Sequence, residues 1–173
     1  MKKEYPIEDH WVSYELHPET PPGGMLLAER FKGRDLTPFY EQLNNRGKEL
    51  DIVFNTHELL SNSRLALLAS EYARDAGAYE AFHENMFHAY FTEGLDIGNP
   101  DVIAAVAAKS GLDAKGMLAA ASDGRYESRL DDARREGESL GLTGIPLFIV
   151  KNQYKIVGAQ PLSVFREFLD KMK

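Results

Sequence analysis

A long segment of helical periodicity in this 173-residue chain lies between strand patterns, and this order restricts the folds that the chain can adopt. Residues His10–His17 alternate in polarity, which predicts a strand that ends in the proline- and glycine-rich stretch 18–24. From Met25 to Leu140 the apolar residues recur at helical spacing, and two short apolar runs and a final helix follow. Strands at both ends of a helical block predict one sheet domain interrupted by an all-helical insertion.

The helical block contains about six predicted helices joined by short loops. Thr37 and Asn99 each precede a proline, the order that helix starts prefer. For the predicted helix in NSRLALLASEYARDAG, the expected cap is Asn62 or Ser61. The predicted insertion occupies residues 24–140, and residues 1–23 and 141–173 form the predicted sheet domain.

The stretch TGIPLFIVKNQYKIVGAQP predicts a β-hairpin near the C-terminus. Its apolar runs, Leu147–Val150 and Tyr154–Val157, are separated by a polar turn, and a helix is predicted to begin after Pro161. Pro146 comes directly before the first run. Proline cannot donate to a sheet ladder, but it is tolerated at the first residue of a strand. On this ground alone Pro146 needs no function.

Composition excludes several classes of function. The net charge of −7, from 27 acidic and 20 basic residues, disfavours nucleic acid and anionic membranes as partners. The sequence shows no run of about 18 apolar residues and no leader pattern, so we expect a cytoplasmic protein without a membrane span. The absence of cysteine excludes disulfides, thiolate metal sites and redox thiols within these residues.

Three stretches of the sequence resemble DsbA-like thioredoxin-fold proteins, and more specifically the FrnE-type branch of dithiol-disulfide isomerases. They are YELHPETPP, FHENMFHAYFTEGLDIGNPDVIAAVAAKSGLD and LGLTGIPLFIVKNQYKIVGAQPLSVFREFL, with AYFTEGLDIG and GAQP the most specific pieces. The resemblance covers nearly everything from about Trp11 onward. It implies an α/β, thioredoxin-like sheet domain with a large all-helical insertion that lies like a lid beside the active site.

The resemblance also implies where a substrate binds. Ile145–Pro146 would be the cis-proline pair, and with Gly144 it would expose a backbone edge to a peptide or to a small thiol or disulfide substrate. His17 and Asn62 would line the cleft beside Pro146, together with the region of His57. Capping of a helix explains Asn62 equally well.

Members of this family begin with a strand and with a helix that starts at a Cys-x-x-Cys motif, where a low thiolate pKa makes the cysteine reactive. Here only Met1–Tyr5 precede the segment PIEDHWVSYEL. We therefore expect the first strand and most of the active-site helix to be missing, and the chain as written to be inactive in dithiol exchange. An apolar strand edge left without its neighbour predicts a homodimer in which sheet edges or N-terminal segments meet.

Three functions remain open at this point. The chain is an oxidoreductase whose recorded start omits the catalytic segment, a redox-inactive dimeric binding module, or a relative of the glutathione-dependent isomerases and transferases. No cofactor and no metal is predicted. His83 and His88 are five positions apart, about 140° around a helix, whereas a metal-binding pair needs a spacing of four. The substrate, the redox direction and the way in which the sheet is completed stay open.

Overall fold

The computed structural model describes residues 1–2 and 4–172, apart from the side chain of residue 49. In chain order the described elements are β1 (Met25–Leu26), α1 (Leu27–Arg30), α2 (Thr37–Gly47), β2 (Leu59–Leu60), α3 (Arg64–Asp75), α4 (Tyr79–Phe87), α5 (Pro100–Lys109), α6 (Ala114–Ser122), α7 (Glu127–Ser139), β3 (Leu147–Val150), β4 (Tyr154–Val157) and α8 (Leu162–Asp170). A short 3₁₀ turn, Lys48–Leu50, continues α2, and a π-helical turn, His88–Thr92, continues α4.

Helices α3 to α7 enclose a core that is rich in alanine. Phe82, Ile103 and Met117 are its largest fully buried side chains. Small residues around them, among them Ala69, Ala73 and Ala107, let the helix backbones approach closely. Six helices of nine residues or more form between β1 and β3, in agreement with the prediction. The four-residue helix α1 was not predicted. None of the helices in the described part of the chain is long and apolar enough to cross a membrane.

The hairpin and the final helix confirm the prediction for the C-terminal segment. β3 and β4 pair antiparallel, with Phe148 opposite Ile156. Helix α8 packs against one face of this hairpin, where the ring centroids of Phe148 and Phe165 lie 5.0 Å apart. The opposite face carries Ile149 and Val157, and Val157 is 59% exposed. Because α8 contacts the other face, we call the face of the hairpin that carries Ile149 and Val157 the open face.

The strand predicted at Trp11–Leu16 is wrong, because this segment has no regular secondary structure. Its polar side chains are buried while Trp11 and Val12 are exposed. Glu15 accepts a hydrogen bond of 2.6 Å from the Arg64 guanidinium at the start of α3, and Ser13 also bonds to α3. The alternation in the sequence thus reflects polar contacts with a helix rather than pairing in a sheet. The segment does not contact β3 through backbone hydrogen bonds within the described residues.

A two-residue strand pair that the sequence did not predict joins β1 to β2, with Met25 opposite Leu60. It holds the start of the predicted insertion against the loop that precedes α3. Gly24 has a φ of 78°, and a Cβ atom at this position would lie 2.9 Å from the Leu60 carbonyl oxygen, so the close approach requires glycine. The division into residues 24–140 and the two flanking segments stays a prediction.

Candidate functional site

The segment between α7 and β3, which we call the proline turn, consists of Gly144, Ile145 and Pro146. The Ile145–Pro146 peptide bond is cis, and the Ile145 side chain is 52% exposed. Across the described chain, no backbone hydrogen bond involves the N–H or C=O groups of Gly144 or Ile145. The turn therefore presents an accessible main-chain edge beside an apolar side chain.

The proline turn is fixed at its C-terminal side by the end of the hairpin. The Gly158 N–H donates a hydrogen bond of 2.8 Å to the Pro146 carbonyl oxygen. The carbonyl oxygen of Ala159, the residue after Gly158, accepts a hydrogen bond of 2.5 Å from the Arg46 guanidinium of α2. These two bonds connect the turn to the helical part of the chain.

The polar atoms of Asn62 are used inside the fold. Its amide nitrogen donates to the Thr20 carbonyl oxygen at 2.6 Å, and its amide oxygen accepts from the Arg64 N–H at 3.0 Å. Asn62 thus holds the proline-rich loop against the first turn of α3. The N-cap position of α3 is Ser63, whose side chain forms no capping hydrogen bond, so the prediction of Asn62 or Ser61 as the cap is wrong. No hydrogen bond or ion pair among the described residues joins Asn62 to the proline turn, so its role in substrate binding stays a prediction.

His17 directly precedes the proline-rich loop that Asn62 holds. Its Nδ1 atom is 3.2 Å from Oε1 of Glu19, and both side chains are accessible to solvent. Among the described residues, no hydrogen bond or ion pair joins His17 to the proline turn. The assignment of His17 to substrate binding therefore also stays a prediction.

His57 lies in a cluster of aromatic side chains that the sequence did not identify. Its Nδ1 atom is 3.4 Å from the Tyr40 hydroxyl, and its ring centroid is 4.6 Å from that of Tyr90. Burial lowers the pKa of His57 and raises the pKa of both tyrosines, so all three side chains are neutral at pH 7.

An open groove of about 570 Å³, which we call the α2 groove, lies between α2 and the segment 54–56. It is lined by Thr37, Tyr40, Glu41, Asn44, Asn45, Lys48, Phe54, Asn55 and Thr56. The Asn44 side chain forms two hydrogen bonds of 2.8 Å with the backbone N–H and C=O of Phe54, and so fixes the distance between the two walls. No motif in the sequence indicated this groove, because its walls meet only through tertiary contacts.

The two helical histidines have different surroundings. The ring of His83 is 4.6 Å from that of Trp11 and 4.3 Å from that of Phe87, and burial lowers the pKa of His83. His88 is exposed, and its Nδ1 atom is 3.2 Å from Glu93. Within the part of the chain that the structure describes, no three potential metal ligands come together.

Comparison with known proteins identifies the family. The family model for the DsbA-like thioredoxin domain matches residues 6–170. The Bacillus subtilis (strain 168) protein YwbO is 24% identical over 166 residues, which cover 93% of this chain and 80% of that protein. The crystal structure of a probable DsbA oxidoreductase from Streptomyces coelicolor superposes with a TM-score of 0.82 at 21% identity, over 91% of this chain and 71% of that chain. The chain belongs to the DsbA-like thioredoxin-domain family.

Proposed function

We propose that this chain is the polypeptide-binding part of a thiol-disulfide oxidoreductase of the FrnE-type dithiol-disulfide isomerase branch. Thiol-disulfide exchange requires a thiolate that attacks a disulfide sulfur and a second thiolate that leaves. The chain contains no cysteine, so the thiolates that the oxidoreductase contributes to the exchange would come from residues outside this chain. Its own contribution is to hold and orient the substrate.

The observation that carries this proposal is the free main-chain edge of the proline turn. Unpaired N–H and C=O groups beside a strand bind an extended peptide by adding it as a further strand. Gly144 favours such an approach, because a Cβ atom at this position would meet nothing within 4 Å and the space above the backbone is open. The exposed side chain of Ile145 offers an apolar contact to the residue of the peptide that lies beside it.

Binding of a fluorescein-labelled hexapeptide of alternating valine and threonine, followed by fluorescence anisotropy, tests the proposal. We expect Ile145→Asp to weaken binding at least about fivefold, since roughly 1 kcal/mol of apolar contact is lost. Gly144→Val fills the open space without straining the backbone and should also weaken binding. Val53 is a matched control, because its side chain is 53% exposed, and Val53→Asp should leave the affinity unchanged. Equal affinity of all four proteins would refute the proposal.

A second candidate function is a redox-inactive binding module that acts without any thiol. The lack of cysteine in all 173 residues favours it. The intact mass of the protein from its native host separates the two candidates. A mass above 19.4 kDa by roughly 30 residues, the size of a βαβ unit, would support the oxidoreductase, and a mass of 19.4 kDa would support the binding module.

We further propose that the chain forms a homodimer and acts in the cytoplasm. Support for the dimer comes from the hairpin. β3 pairs with β4 along one edge, and no other strand of the described residues pairs with its second edge. The open face of the same hairpin exposes Ile149 and Val157. An unpaired strand edge next to exposed apolar residues is a surface that associates readily with a second strand.

A further inference from the structure

We propose that the α2 groove binds a second part of the same substrate, a polar and extended segment that flanks the residues held at the proline turn. This inference rests on the proposed function, since it names a further contact of the polypeptide that the turn binds. It assigns a role to a surface that neither the family nor the sequence motifs indicated.

The chemistry of the groove suits a hydrated main chain. Amide and hydroxyl groups dominate its lining and supply both donors and acceptors. Glu41 and Lys48 have opposite charges, so the groove does not select strongly for an anion or a cation. Among the described residues that line the groove, Phe54 alone has a purely hydrocarbon side chain. Sites for compact apolar ligands are, in contrast, enclosed and mainly hydrophobic. An extended polar peptide that binds in such an open groove keeps most of its bound water and loses only part of it.

The wall formed by residues 54–56 is held in place by hydrogen bonds on both sides of the chain. On one side Asn44 binds the backbone of Phe54. On the other side the Asn55 N–H donates to the Phe91 carbonyl oxygen at 2.9 Å, and the Thr92 hydroxyl donates to the Val53 carbonyl oxygen at 2.8 Å. Because the wall is already fixed, a bound segment does not have to order it, which lowers the entropic cost of binding.

Two groups at the groove are available to a ligand. The backbone N–H and C=O of Thr56 take part in no backbone hydrogen bond of the described residues. The carboxylate of Glu41 is exposed and forms none of the ion pairs found in the described residues, so it can accept from peptide N–H groups. Together they offer one main-chain donor and two types of acceptor along the groove.

Two hydrogen bonds connect the α2 groove to the proline turn through the end of the hairpin. The path runs from the Pro146 carbonyl oxygen to Gly158, then from Ala159 to Arg46, the residue that follows Asn45 at the groove. Six extended residues span at most about 20 Å. A probe of twelve residues therefore tests whether one polypeptide occupies both sites.

The test compares the hexapeptide with two twelve-residue probes, in which six residues of glycine, serine and asparagine extend it at the N-terminus or at the C-terminus. We expect one extended probe to bind the wild-type chain roughly fivefold to tenfold more tightly than the hexapeptide, about the gain of one net hydrogen bond. The double variant Glu41→Ala/Asn45→Ala should lose this gain and keep the hexapeptide affinity. Both positions are exposed on a helix, where alanine is well tolerated.

Gln42→Ala is the matched control, since Gln42 is an exposed residue of α2 that does not line the groove, and it should keep the gain. Failure of the hexapeptide to bind would overturn the proposed function, and with it this inference. Binding of the hexapeptide with no gain from either extension would overturn the inference alone. A gain that persists in the double variant would also overturn the inference alone. Circular dichroism confirms that each variant is folded.

Discussion

The Ser13 hydroxyl donates a hydrogen bond of 2.6 Å to Oε1 of Glu71, a carboxylate of α3 that is only 5% exposed. Glu71 also accepts hydrogen bonds of 3.2 Å from Arg74 and from Arg129. Burial alone disfavours the charged form, but the hydrogen bonds from Ser13 and the two guanidinium groups outweigh it and lower the pKa of Glu71. One buried carboxylate therefore joins the N-terminal segment to α3 and α7.

Loss of this carboxylate should destabilise the protein more than loss of the hydroxyl. We expect Glu71→Ala to cost about 2–3 kcal/mol, because the Ser13 hydroxyl loses its buried acceptor and two guanidinium groups lose one charged partner each. Arg129 keeps its pair with Asp75, and Arg74 keeps the Trp11 carbonyl oxygen, so no charge is left without a partner. Ser13→Ala should cost about 1–2 kcal/mol. Urea denaturation followed by circular dichroism measures both values, and Ser139→Ala, at an exposed serine, is the control. Equal stability of Glu71→Ala and wild type would show that the network is not stabilising.

The lowered pKa of Glu71 makes its contribution to stability depend on pH. A carboxylate with a folded-state pKa below its unfolded value, near 4.5, stabilises the fold fully above that value. The contribution is lost as the pH falls through the lower, folded-state pKa. The difference in unfolding free energy between wild type and Glu71→Gln should therefore be largest at pH 7 and shrink below pH 4.5. A difference that grows on acidification would contradict this assignment.

Tyr14 and Gly137 form a close contact between the N-terminal segment and α7. A Cβ atom on Gly137 would lie 2.4 Å from Cε2 of Tyr14, so the ring would have to move. Gly137→Ala should destabilise the wild type by about 1 kcal/mol or more, although alanine favours the helix by a similar amount. In a Tyr14→Ala background the same change should instead stabilise by about 0.5–1 kcal/mol. Thermal unfolding of the four proteins measures the coupling, and additive effects would mean that the contact has no energetic role.

The proposed dimer predicts a molar mass of twice 19.4 kDa by light scattering. Ile149→Lys combined with Val157→Lys places two charges on the open face of the hairpin and should shift the mass to that of the monomer. Val53→Lys, at an exposed apolar position outside the hairpin, should leave the dimer intact. A wild-type mass of 19.4 kDa over a wide range of concentrations would refute the dimer.

The purified chain should not accelerate the reduction of insulin by dithiothreitol. The reaction proceeds through a thiolate and a mixed disulfide, and the chain contains no cysteine. A DsbA-like protein with an intact Cys-x-x-Cys motif provides the positive control. Catalysis above the background rate would mean that these residues carry a redox function that does not use a thiol.

Local patterns in the sequence determined the helices, the C-terminal hairpin and the family resemblance. The capping role of Asn99 and the turn between β3 and β4 depend on residues within a few positions of one another, so periodicity and turn chemistry suffice to predict them. The same holds for the proline turn, whose position follows from Pro146 at the entry to an apolar run.

Tertiary structure alone decided the rest. The alternation at Trp11–Leu16 is compatible with a strand, but Ser13 and Glu15 find their partners 58 and 49 residues away, on α3, and the polar face is buried. The contact between Tyr40 and His57 and both walls of the α2 groove likewise join residues from separate elements. Hydrogen bonds and ion pairs between distant residues leave no period in the sequence, and for this reason they could be read only from the folded chain.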